Sequence, residues 1–181
     1  MAKDEDAPLL TLRKLLDDIQ LATKRESRSK ASISHELAQG FMTVLRGVGA
    51  TILEVGKGNA NYFVFEFEGK TIAVSPFSSH EEWWEKPSEG FRCMTRNRGC
   101  DWGVVLFFVQ DHEGVWIEGP EFDRTVLKGR EKVNSNAVQE ARRKKLARPF
   151  YRADEFLRLV RTPASIPPRP FLVRRTPGPS S

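Results

Sequence analysis

Residues 61–75, NYFVFEFEGKTIAVS, decide the fold. Side chains in a strand alternate between faces, so Phe63, Phe65 and Phe67 share one side while Tyr62, Val64, Glu66 and Glu68 share the other. Glu68-Gly69 reads as a two-residue hairpin turn, which places Phe67 opposite Lys70, Glu66 opposite Thr71, Phe65 opposite Ile72, Val64 opposite Ala73 and Tyr62 opposite Ser75. In that register Ile72 and Val74 join the phenylalanines, which marks their side as core. The opposite face carries Tyr62, Val64, Glu66, Thr71, Ala73 and Ser75, and reads as the exposed one.

Working outward toward the N-terminus, residues 50–55 read as a strand, joined to the hairpin by a Gly-rich turn at 56–59. That turn lacks the Gly-Lys-Ser/Thr ending of a phosphate-binding loop. Ser32 or Ser34 caps a predicted helix running to about Gly47, with Glu36 in its first turn and Leu37, Phe41, Val44 and Leu45 on its apolar face. Leu9, Leu12, Leu16 and Ile19 recur at helical spacing after Pro8. This first helix either docks on its own domain or contacts a protein partner or a second copy. The basic stretch 24–30, KRESRSK, reads as a connector.

Toward the C-terminus, residues 76–100 read as irregular, with a short helix at 81–86 carrying Trp83 and Trp84. The apolar run 103–109 lacks alternation, as a strand buried on both faces does. A turn at 111–114 leads to a strand at 115–118. Helical segments follow, one capped at Asn134, Ser135 or Asn136, the other spanning 153–160 with Phe156, Leu157 and Val160 inward. Beyond Arg161 the Pro-rich sequence cannot build a core and is expected to be disordered. The expected organisation is therefore an N-terminal helix and basic connector (1–30), an α/β domain (31–161) and a Pro/Arg-rich tail (162–181).

Over 181 residues the chain carries 39% hydrophobic residues and a net charge of +5, enough apolar content for one domain and a modest excess compatible with nucleic acid. Two cysteines, Cys93 and Cys100, are too few for a disulfide framework, and their spacing with His80 and His112 does not resemble a zinc site. His35, His80 and His112 lie in unrelated contexts without a nucleophile motif. The acidic start lacks the parts of a signal peptide and no stretch has membrane-spanning length, so a cytoplasmic protein without membrane partners is expected.

Helix, three strands, crossover, strand and terminal helices, with SHELAQGFMTVLRGVGATILEV, FEFEGKTIAVSPFSS and DWGVVLFFVQDHEGVWIEGPEF, resemble the PD-(D/E)XK superfamily of restriction-endonuclease-like and Holliday-junction-resolvase-like nucleases. The resemblance spans about residues 34–118. It implies an αβββαβ core with a mixed central sheet, plus the extra N-terminal helix and C-terminal helices. In active members, an Asp at the start of the first hairpin strand and an Asp/Glu on the second hold Mg²⁺, and a Lys two residues on helps activate water. The matching positions here hold Asn61 or Tyr62, then Ala73 and Ser75, none of which replaces its counterpart. The resemblance therefore implies the fold with a degenerate site and no cofactor. A relocated Mg²⁺ site would draw on Glu66, Glu68, Lys70 and Glu36, with Asp101 a further metal candidate beside its reading as a strand-start cap.

Cations gather in two regions. Arg92, Arg96 and Arg98 lie in what reads as an aromatic-flanked loop; Arg124, Lys128, Arg130 and Lys132 lead into Arg142, Arg143, Lys144, Lys145 and Arg148 around a helix. These form either a solvated face or a phosphate-binding footprint for DNA or RNA, with Arg169, Arg174 and Arg175 as extensions. Trp83 and Trp84 suit base stacking, a protein contact or a buried lid. Three functions follow as expectations. The first is a non-catalytic nuclease-fold protein that binds nucleic acid or serves a nucleoprotein complex. The others are a Mg²⁺-dependent endonuclease with a relocated site and an adaptor using the N-terminal helix and Pro-rich tail.

Overall fold

The computed structural model describes residues 10–25, 29–57, 61–79 and 84–162. In chain order its elements are α1 (Leu12–Arg25), α2 (Lys30–Gly47), β1 (Thr51–Val55), β2 (Phe63–Phe67), β3 (Lys70–Ser78), β4 (Trp84–Glu85) and α3 (Glu89–Arg98). Then come β5 (Asp101–Phe108), a 3-10 turn (Val109–Asp111), β6 (Glu113–Glu118), α4 (Gly119–Glu121) and a π-helical segment (Phe122–Leu127). β7 (Lys132–Val133), α5 (Ser135–Arg143), β8 (Arg148–Phe150) and α6 (Ala153–Arg161) complete the described chain. The fold is mixed α/β. Its main sheet runs β1-β2-β3-β5-β6-β8, with β3 and β5 parallel and the other neighbours antiparallel. A second, two-stranded sheet pairs β4 with β7.

The hairpin register agrees with the alternation from Phe67↔Lys70 to Val64↔Ala73. Glu68 and Gly69 both take positive φ, 49° and 77°, the backbone a tight primed turn needs. Pairing ends at Phe63↔Val74 rather than at Tyr62 and Ser75, because the Tyr62 carbonyl accepts from Gly56 N at 2.7 Å and holds the chain toward β1. β3 also continues through Pro76 to Ser78, alongside β5, where the sequence read as irregular.

The phenylalanine side is the main core. Phe41 of α2 meets Phe63, Phe107 and Phe156 edge-on, with centroids 5.9, 5.0 and 5.1 Å apart. Each such pair adds about 0.5–1.5 kcal/mol to the burial of the rings. α1 inserts Leu12, Leu15, Leu16 and Ile19 into this same core, so the first helix docks on its own domain. A Cβ at Gly40 of α2 would stand 2.2 Å from Leu15 Cδ1, which is why a helix interior tolerates glycine here. β5 is buried on both faces: Val105 and Phe107 enter the main core, Val104 and Leu106 a second core with Phe122, Val126, Val133 and Val138.

Three local readings are corrected. α2 starts at Lys30 and is capped by Ser29, whose hydroxyl accepts from Ser32 N, so Glu36 lies beyond the first turn. Trp84 is not helical; it is a buried β4 residue whose Nε1 donates to Ser78 O at 3.4 Å, while 80–83, with His80 and Trp83, lie outside the described residues. The loop assigned to Arg92, Arg96 and Arg98 is helix α3, opened by Ser88 accepting from Phe91 N and closed by Gly99 at φ 58°. The connector at 26–28 and the tail from 163 onward also lie outside the described residues. Among the described residues, no helix is long and apolar enough to cross a membrane.

Candidate functional site

Helix α3 lies over the hairpin face that the sequence left open. Val64 and Ala73 are fully buried beneath Phe91, with Tyr62, Met94, Cys100 and Trp102 around them, and Ser75 is 6% exposed. An ionised carboxylate at position 73 would lose its water without gaining a cation. Toward the tip of this face Glu66 is exposed and Thr71 half-buried, and at the other end Tyr62 is half-buried.

The relocated set does not converge. Glu66 is exposed on the α3 side, whereas Glu36 belongs to α2 on the phenylalanine side. Glu68 pairs with Arg161 at 2.8 Å. Lys70 donates to the Val160 carbonyl at 2.7 Å and lies 3.2 Å from Asp101, the first residue of β5. Lys70 thus closes the C-terminal end of α6 onto the hairpin, a structural clamp. Among the described residues no three His, Cys, Asp or Glu side chains gather as a metal site, and the hairpin residues do not fit Mg²⁺. A cleft of about 320 Å³ beside the clamp mixes Lys70, Asp101 and Glu118 with Cys100, Ile72 and Trp116; burial pushes the Cys100 thiol up, away from nucleophilic use.

Most of the predicted cations already have internal partners. On α3, Arg92 grips Asp123 with two bonds of 3.1 and 2.8 Å and lies 5.3 Å over Trp102, Arg96 pairs with Glu89 at 2.5 Å and Arg98 pairs with Glu54. Lys132 meets Glu85 at 2.9 Å; Arg130 donates to the carbonyls of Val126 and Leu127. Arg124 pairs with Glu121, itself only 5% exposed, at the start of the π-helical segment. Arg148 is half-buried between Glu118 and the Thr162 carbonyl, and desolvation lowers its pKa.

The quartet ending α5 divides as its helical phase requires. Arg142 turns inward, pairing with Glu113 and lying 4.5 Å over the Phe108 ring. Lys144 Nζ is 2.9 Å from Glu140, and Lys128 Nζ reaches the same carboxylate at 3.2 Å. Arg143 and Lys145 are exposed and have no carboxylate partner among the described residues. Lys128 and Lys144 therefore share a single carboxylate, and the exposed Arg143 and Lys145 flank Lys144 in the chain at the end of α5. The sequence reading missed Glu140, although its i,i+4 spacing to Lys144 on a predicted helix was visible. Lys144 first and Lys128 second hold the Glu140 carboxyl below its ordinary pKa. No protein-family model, curated protein or solved structure matches this chain.

Proposed function

We propose that this chain is a non-catalytic protein of restriction-endonuclease-like topology that binds the phosphate backbone of DNA or RNA without reading its bases. The observation that carries this reading is the end of α5, where Lys128 and Lys144 share the Glu140 carboxylate and Arg143 and Lys145 are exposed, while the neighbouring cations are committed to internal partners. The order α2-β1-β2-β3-α3-β5, with β3 and β5 parallel, supports the nuclease-like topology. The burial of Ala73 under α3, and of Ser75 further along the strand, supports the absence of catalysis at the family's acidic positions.

A footprint of about four cations neutralises few phosphates, so affinity should fall with salt along a log–log slope no steeper than about −3 to −4 on duplex. The test is a salt titration with single- and double-stranded probes in Mg²⁺ or Mn²⁺, with the products run on a gel. The expected result is intact probe and salt-dependent binding that Arg143→Glu with Lys145→Glu abolishes. Affinity retained after that reversal, or scission by the purified chain, overturns the reading.

A further inference from the structure

We propose that Glu140 is an internal competitor for the phosphate: its carboxylate occupies the position between Lys128 and Lys144 that a backbone phosphate takes when nucleic acid binds. The inference rests on the phosphate-binding reading above and adds a subsite and its regulation. Two ammonium groups converge on one carboxylate from different elements, Lys144 beyond the end of α5 and Lys128 beyond the π-helical segment, 12 residues before Glu140. Lys128 takes a positive φ of 49°, so the backbone there is committed to the tight exit from the π-helical segment that precedes the convergence. A phosphate is the natural replacement, since it offers several acceptor oxygens to the same two donors and adds attraction to Arg143 and Lys145.

The lock is weak enough to open. All three side chains are solvent-exposed by a third or more, with Glu140 at 33%, Lys128 at 46% and Lys144 at 53%. Ion pairs of that exposure contribute little and are screened by salt. Exchange of carboxylate for phosphate is then a substitution between anions, and the two lysines release fewer counterions than free ones would. Free protein with Glu140 intact should show weaker binding and a shallower salt slope than its four cations allow.

The experiment compares wild type, Glu140→Gln, Lys128→Gln/Lys144→Gln and the triple variant, titrating a labelled duplex oligonucleotide by fluorescence anisotropy at several salt concentrations. Thermal melts confirm the fold of each. Glu140→Gln is expected to bind about two- to tenfold tighter at low salt, with a slope steeper by about 1 to 2. In the background lacking both lysines the same substitution should change nothing. An unchanged affinity and slope in Glu140→Gln, with wild type binding normally, overturns the competitor alone. Tightening that persists without the lysines also overturns it, because long-range charge then accounts for the gain. Absence of binding by wild type and every variant at low salt removes both this inference and the reading beneath it.

Discussion

On the α2 side of the hairpin, Phe63, Phe65, Ile72 and Val74 present large side chains to a helix that answers with Phe41. On the α3 side the same two strands offer Val64 and Ala73, and α3 answers with Phe91. The centres of both faces are buried, but by opposite means, one by interlocking rings and the other by a small strand surface that lets a helix descend. Ala73 is thus both a position where a metal ligand is missing and a space that Phe91 and its neighbours fill. The packing and the chemistry of that face are one choice.

Two substitutions should produce the largest effects and break the comparison from either side. Phe41→Ala empties the ring cluster and is expected to cost about 3–5 kcal/mol in denaturant unfolding. Ala73→Asp buries an unpaired carboxylate under α3 and should cost about 3 kcal/mol or more near neutrality. It has a signature that cavity formation lacks. Burial raises the folded-state pKa of the new acid, so the deficit is smallest below its unfolded value and grows as pH rises toward the folded one. A deficit independent of pH would mean that α3 lifts and water reaches the site.

Arg92 pins α3 to the body of the domain through Asp123, the Pro87 carbonyl and the Trp102 ring. Arg92→Met keeps the stem and removes those bonds, an expected loss of about 1–2 kcal/mol by equilibrium unfolding. The smallest effect is with acid. Glu89, held below its usual pKa by Cys93 and then Arg96, joins Glu140 and Asp154, the latter lowered chiefly by Arg152. Depressed carboxylates stabilise the fold above their unfolded values of 4.5 and 3.8 and lose that contribution as pH falls through the folded ones. Glu89 and Asp154 are exposed and Glu140 is a third exposed, so melting temperature should slip by only a few degrees below about pH 4.5, and less in high salt.

How much of this was legible depended on whether the signal was local. The hairpin announces itself, because alternation, a Glu-Gly turn and a single register agree. Helix α3 was hidden by its composition: Phe91, Met94 and Thr95 are the only apolar or neutral residues that lie inward, beside Arg92, although Ser88 and Gly99 carried the cap signals. β8 is three residues long with Pro149 in its middle, below the threshold of any periodic pattern. The fate of the cations was least readable. Arg98 finds Glu54 across 44 positions and Arg92 finds Asp123 across 31, partnerships that chain order does not encode. Among the described residues, Arg143 and Lys145 emerge as the cations of this stretch without a carboxylate partner only once the others have been assigned.

Pro76 draws one more consequence from the sheet. β2 leaves β3 at Val74, while β5 accompanies it to Ser78, and a proline is tolerated in such a stretch when its missing N–H faces the vacated flank. A slip of the hairpin by two residues is the smallest that keeps every phenylalanine inward, and it would set Phe63 against Pro76. The imide ring has no donor to offer there, so the nearest misregistered hairpin is disfavoured before the helices arrive to judge it. Replacing this buried residue would leave the strands a second way to align.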